Sequence, residues 1–233
     1  MSASHEHIVK SYDAELARLT HEIAAMGERA AALFDEAMEA LERRDNARAR
    51  RVIAGDAAID AQEREVSHDV LRLLALRQPI ARDLREILAA LRIASDIERI
   101  GDYATNIGKR TLALNRTAPV QLADGLAALA ALASALVREV LRAYVARDAE
   151  RARAAWLRDS ELDALYSALC RELMSRMNED ARNIAAWTHL LFIAKHIERI
   201  GDHATNIAEN VWFTVTGQPL AETRRYIEEF GAA

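Results

Sequence analysis

The stretch "IERIGDYATNI" occupies residues 97–107, and "IERIGDHATNI" returns at 197–207. Aligned at an offset of 100, residues 93–107 and 193–207 agree at twelve of fifteen positions; only Ser95/Lys195, Asp96/His196 and Tyr103/His203 differ. Upstream, "RDNARARRVIAGDAAID" (44–60) matches "RDAERARAAWLRDSELD" (147–163) at an offset of 103. The chain is therefore two copies of one unit. The three-residue change in offset falls in the connector between the second and third helices of each copy, where length changes cost little.

The unit is helical. Ile8, Tyr12, Leu16, Leu19, Ile23, Met26, Ala30, Leu33, Ala37 and Leu41 step by three or four, which is one apolar stripe on a long helix. Strand-like alternation is missing. Asp45-Asn46 offers a cap for a second helix, because short polar side chains accept its free N–H groups. Gln78-Pro79 closes that helix, and Pro79 suits the first turn of the next. A third helix then runs from about Ile80 to Leu114, roughly 50 Å at about 1.5 Å per residue. "NRTAPVQ" (115–121) is the mid-chain boundary. Asp148 opens a fifth helix and Asn178–Asp180 a sixth, which "TGQP" (216–219) closes before a short helical tail with Tyr226 and Phe230. The expectation is an all-α fold of two tandem three-helix bundles, residues 1–116 and 117–233.

On a helix, residues four apart share a face. Glu98, Asp102 and Asn106 do so, and Glu198, Asp202 and Asn206 repeat the set. Like charges at this spacing destabilise a helix by about 0.2–0.5 kcal/mol, and the intervening Gly101 or Gly201 costs about 1 kcal/mol against alanine. The preceding helix of each copy adds another pair, Asp56 with Asp60 and Asp159 with Asp163. Four facing carboxylates repel unless a cation sits among them, and carboxylate oxygen is the donor that hard di- or trivalent metals prefer. Iron, manganese, magnesium or calcium suits such a shell, and zinc suits it less. The glycines would let another backbone, or the metal with its waters, come close. The competing reading is a salt-bridged face with Arg99 and its neighbours. Asn106 and Asn206 either ligate or satisfy a buried carbonyl.

A carboxylate-bridged oxidase or metal store needs two inward Glu-x-x-His motifs. Only one is present, Glu65 to His68; its counterparts are Ala168 and Arg171. His196 and His203 occur in one copy and lie off the carboxylate face.

Bulk properties narrow the classes. The net charge of -5 makes nucleic acid an unsuitable partner, and "RRDNARARR" (43–51) reads as an exposed turn between helices. The single cysteine, Cys170, sits at an apolar position and reads as a small hydrophobe. The start of the chain is charged and without an apolar core, and "LAALAALASALV" (126–137) is too short to span a bilayer. A soluble, cytoplasmic protein that meets a membrane only through partners is expected.

"LRQPIARDLR" (76–85), the two E-R-I-G-D signatures and the opening "HIVKSYDAELARL" together resemble the PhoU family of phosphate-specific transport accessory proteins, from about residue 5 to 217. The resemblance implies two similar three-helix bundles. It implies metal clusters at the E/D-x-x-x-D positions, here Asp56, Asp60, Glu98, Asp102, Asp159, Asp163, Glu198 and Asp202. It implies a non-enzymatic negative regulator of the phosphate-starvation response, linking the ATPase of the phosphate ABC transporter to a sensor histidine kinase, often as a homodimer. One departure is Ala181 in "NEDARNI", where the family often has proline; it bears on the start of the sixth helix. "RQPIARDLR" has no counterpart in the second copy, so Arg77, Arg82 and Arg85 are candidates for a docking face, against the alternative of solvated arginines with packed stems.

Overall fold

The computed structural model describes residues 2–77, 79 and 81–220, with side chains from 14 onward except those of 77, 81 and 82. Among the described residues seven α-helices follow one another: α1 (Ser2–Glu42), α2 (Asn46–Arg77), α3 (Ala81–Leu114), α4 (Asp124–Ala146), α5 (Ala149–Leu157), α6 (Asp159–Glu179) and α7 (Ile184–Thr216). No strand occurs among the described residues. α1, α2 and α3 pack on one another as the first bundle; α4, the α5–α6 arm and α7 make the second. α3 against α7, and α1 against α4, join the two.

The α1 stripe is buried from Leu16 through Ile23, Met26, Ala30 and Ala37 to Leu41; Ile8 and Tyr12 lie outside the described side chains. The alanine-rich run of α4 is core, with Leu126, Leu129, Ala133, Leu136 and Val137 all buried. Small side chains allow the close approach of α1 and α4. A Cβ at Gly27 would stand 2.4 Å from Leu141 Cδ2. Among the described residues, no helix is long and apolar enough to cross a membrane.

The caps fall where the polar residues place them. Asp45 accepts from the Arg48 N–H at 3.0 Å, and Asp148 from the Arg151 N–H at 2.9 Å. The residue before each cap adopts a left-handed conformation without being glycine: Arg44 has φ 51° and Arg147 φ 52°. Such a backbone disfavours an L side chain, and both copies keep arginine there for its reach. Arg44 donates to the Leu114 and Thr117 carbonyls at 3.3 and 3.2 Å, satisfying the end of α3. Arg147 pairs with Glu86 of α3 at 2.7 Å. The rest of the 43–51 cluster spans the short turn and the opening of α2, with Arg48 on Glu39 and Arg51 on Glu36.

Two details differ from the sequence reading. The fifth long helix is broken at Arg158, whose ψ of -3° ends α5 and opens α6. Its counterpart, Gly55, lies inside the unbroken α2. The break puts Asp159 and Glu161 into a first helical turn, where the helix dipole favours acids. The sixth long helix opens at Ile184 rather than at 178–180: α6 runs to Glu179, Asp180 is non-helical, and a 3₁₀ turn at Ala181–Asn183 leads into α7. The helical tail at Tyr226 and Phe230 lies outside the described residues.

Candidate functional site

The two signatures meet in the middle of the molecule, where α3 and α7 run antiparallel. Asp96 of α3 lies 2.9 Å from His203 Nδ1 of α7 and accepts from Asn206 at 3.3 Å. Tyr103 of α3 sits with its ring centroid 5.7 Å from those of both His196 and His203, and its hydroxyl accepts from Arg199 at 3.3 Å. Two of the three positions at which the copies differ, 96/196 and 103/203, are thus the ones that face each other across the seam. Identical residues there would set aspartate against tyrosine on both sides. Divergence makes a polar pair instead, and it draws Asn206 into the seam rather than onto the acidic face. Asn106 is half-buried on α3.

Each acidic face lies between a signature helix and its neighbour. In the first bundle the glycine decides the spacing. A Cβ on Gly101 would stand 2.8 Å from Ile59 Cδ1 and 3.6 Å from Asp56 Oδ1. In the second, a Cβ on Gly201 would stand 2.0 Å from Leu162 Cδ2. The glycines therefore admit an aliphatic side chain of the adjacent helix, rather than a second backbone or an ion, and so bring α2 to α3 and α6 to α7 closely enough for their carboxylates to interact.

In the first face the four acids act on one another. Burial raises the Asp56 carboxyl above its ordinary range, and the charges of Asp60 and Asp102 push it further, against Lys109 and Thr105. Burial likewise raises Glu98, helped by Asp102, Asp60 and Asp56 and opposed by Arg99. Asp56 Oδ1 is buried without a hydrogen-bond partner. In the second face burial raises Glu198, its Lys195 hydrogen bond lowers it, and Asp202 and Asp163 raise it. Asp159 opens α6 at one end of that face. Arg99 holds Asp102, and Arg199 holds Asp202, each at 2.9 Å.

Among the described residues, no three His, Cys, Asp or Glu side chains stand grouped so as to hold a metal ion. The donors of the first face nevertheless suit a hard cation: all are carboxylate oxygens, their charges are in mutual reach, and one buried oxygen has no proton donor. Asp56, Asp60, Glu98 and Asp102 would hold it, and the cation would supply the positive charge that offsets their repulsion. The second face also has a buried oxygen without a partner, Glu198 Oε2, but there an ammonium is hydrogen-bonded to the other oxygen of the same carboxylate, whereas Lys109 acts on Asp56 of the first face only through its charge. Glu65 and His68 are both exposed on a groove with Arg18 and Glu22 of α1, away from either face. Of the three arginines, Arg85 places its guanidinium carbon 3.5 Å from where a Gly217 Cβ would be, at the left-handed end of α7. The side chains of Arg77 and Arg82 lie outside the described set. Cys170 is buried, and burial raises its thiol.

The family model described as "PhoU domain" matches residues 23–111 and again 126–211, one match for each bundle. The chain belongs to the PhoU family. The "Phosphate-specific transport system accessory protein PhoU homolog" of Xylella fastidiosa (strain 9a5c) is 54% identical over 218 residues, 94% of this chain and 92% of that protein. The homolog of the same description in Caulobacter vibrioides (strain NA1000 / CB15N) is 46% identical over 94% of this chain and 96% of its own. Two solved structures share the fold. PhoU from Pseudomonas aeruginosa has a TM-score of 0.86 and 33% identity, covering 89% of this chain and 100% of that one. The phosphate transport system regulatory protein PhoU from Streptococcus pneumoniae has a TM-score of 0.84 and 29% identity, covering 91% of this chain and 100% of that one.

The residues that sequence reasoning passed over are Lys195, Tyr166 and the seam set Asp96, Tyr103 and His203. For all but Tyr166, which lies outside the signature, the signal was the three mismatches between its two otherwise matching copies.

The raised carboxyls set a pH dependence. Asp56 and Glu98 bind protons more tightly folded than unfolded, so their contribution to stability falls as pH rises from the ordinary carboxylate range through their raised values. In metal-free protein, Asp56→Asn with Glu98→Gln should therefore be more stable than the parent at pH 7. The gain should be small, about 0.5 kcal/mol per relieved contact, because solvent screens a half-open face. Urea melts should show that advantage narrowing from pH 7 to pH 5. The half-buried His189 and His196, lowered by desolvation and by Arg110, act oppositely but cancel between parent and variant.

Proposed function

We propose that this chain is a negative regulator of the phosphate-starvation response, acting between the ATPase of the phosphate ABC transporter and the sensor histidine kinase that reads phosphate supply. The observation that carries the reading is family membership over both bundles, with all eight acidic positions retained. Relatives described as accessory proteins of the phosphate-specific transport system support the physiological setting. In this reading the chain works in the cytoplasm, reaches the membrane only through its partners, forms a homodimer, and catalyses no reaction. Its first acidic face holds an iron, manganese, magnesium or calcium ion that fixes the α2–α3 geometry.

The test is complementation. In a bacterium lacking its own PhoU relative and growing on abundant phosphate, a starvation-response reporter is constitutively on. Expression of this chain should return it to the repressed level; a reporter that stays on would remove the regulatory reading. The docking face is tested separately. Arg77→Glu, Arg82→Glu and Arg85→Glu together should abolish capture of the kinase's cytoplasmic region, and undiminished capture would clear these arginines of that role.

A second reading, a metal-free scaffold whose carboxylates make only salt bridges, is favoured by the Arg99–Asp102 and Arg199–Asp202 pairs. Exposed pairs at this spacing contribute only about 0.3–0.5 kcal/mol. Even with Arg99 and Lys109 opposing, Asp56 and Glu98 stay raised above their ordinary range, which is why the metal reading is preferred.

A further inference from the structure

The two acidic faces carry four carboxylates each, at matching positions, and differ in how a cation meets them. In the second bundle, Lys195 Nζ donates to Glu198 Oε1 at 2.7 Å and lies 5.3 Å from the centroid of the Tyr166 ring. An ammonium between a carboxylate and an aromatic face is doubly favoured, by the charge and by the ring quadrupole. Lys195 keeps much of its stem in water, at 46% exposed, while the Glu198 side chain beneath it is 11% exposed.

The matching corner of the first bundle is built otherwise. Ser95 stands where Lys195 does, Glu63 where Tyr166 does, and Ser67 where Cys170 does. There Ser67 donates to Glu63 at 2.8 Å, so a further carboxylate takes the place of the aromatic ring. Over these three positions the first copy carries one negative charge and the second one positive charge; Lys109, whose charge acts on Asp56, has Glu209 as its counterpart and cancels that difference, so what sets the faces apart is direct contact, the Lys195 ammonium being hydrogen-bonded to Glu198. The arginine cannot account for this, because Arg99 and Arg199 make the same 2.9 Å pair in both copies.

We propose that Lys195 is a built-in counter-ion that closes the second acidic face, so that only the first face takes a divalent metal with high affinity. The inference rests on the metal reading above and divides the labour within it. One copy of the duplicated unit keeps a site for an external cation. In the other, a covalently tethered ammonium supplies that charge, and the second bundle holds its geometry without regard to metal supply. Any ion entering beside Glu198 must approach an ammonium already hydrogen-bonded to that carboxylate, and like charges at such distances repel strongly in a half-buried setting.

The test is Mn²⁺ titration of chelator-stripped full-length protein, with free Mn²⁺ read by electron paramagnetic resonance. In the parent chain, tight binding should disappear with Asp60→Asn plus Glu98→Gln and persist with Asp163→Asn plus Glu198→Gln. Lys195→Ser, which installs the first copy's residue, should add a second class of sites binding about tenfold tighter or better than the parent's second face. Ser95→Lys should weaken the first face by a similar factor. Should Lys195→Ser fail to fold, Ser95→Lys carries the test, since Ser95 is exposed and accepts a longer side chain. Equal loss of Mn²⁺ from the two double variants, or folded lysine and serine exchanges with unchanged titrations, would overturn the inference and leave the metal reading intact. No Mn²⁺ bound by the parent or by Lys195→Ser would overturn both.

Discussion

Gly201→Val is expected to destabilise the protein by about 3 kcal/mol, the upper part of the usual range for overpacking a filled core. For a chain of this length that is a fall in Tm of roughly 6–12 °C. The cause is local. A Cβ at 201 would lie 2.0 Å from Leu162 Cδ2 and 3.4 Å from its Cγ, and Leu162 is fully buried, so moving it disturbs a packed core. Gly201→Ala suffers the same clash but recovers about 1 kcal/mol of helix propensity, so its net cost is smaller. Coupling is the sharper readout. Leu162→Ala alone should cost about 2–5 kcal/mol through the cavity it leaves. In that background Gly201→Ala should cost nothing or stabilise, a non-additivity that marks direct contact. Gly101 should tolerate alanine better, because its clash with Ile59 Cδ1 is at 2.8 Å. A Gly201→Val chain that melts with the parent would show that glycine is not what sets the α6–α7 spacing.

The second large effect is expected from Asp56→Asn, Asp60→Asn, Glu98→Gln and Asp102→Asn combined. A metal bound only by the folded chain stabilises it by about 2.7 kcal/mol at a hundred times its Kd, and this variant should show no such gain when Mn²⁺ is added to denaturant melts. Its far-UV helical signal should be unchanged, because the four side chains lie on half-buried faces rather than in the core. Without metal it should be at least as stable as the parent, since the mutual repulsion acting on Asp56 and Glu98 is gone. This reversal of sign separates a metal site from a salt-bridged face. If the carboxylates only paired with arginine, their removal would weaken the protein with or without Mn²⁺.

Much of this architecture was legible in the sequence because it is written in local rules. The α1 stripe, the Asp45 and Asp148 caps and the offset copies each depend on residues close together in the chain, and each appears in place. The break at Arg158 was not legible: it has neither glycine nor proline, and its counterpart Gly55 sits within a continuous helix. The purpose of the signature glycines was misjudged for a related reason. Spacing shows that a small residue is wanted, but not whether a ligand, a backbone or a leucine fills the space. The α3–α7 seam was hidden for a third reason. Periodicity says that the Asp96 and His203 side of each helix is covered, not what covers it. Lys195 stood in plain view as a mismatch, and became meaningful only once its ammonium was seen 2.7 Å from Glu198.

The central claim is that an acidic face duplicated in a PhoU chain exists to hold a cation in at least one copy. It is tested most directly by elemental analysis of full-length protein purified without chelator or affinity-tag metal, beside the four-site Asn/Gln variant. The account predicts a stoichiometric oxygen-seeking metal in the parent and its loss from the variant. A parent chain that emerges metal-free, and whose melting is indifferent to added Mn²⁺, Fe²⁺, Mg²⁺ or Ca²⁺, would contradict it.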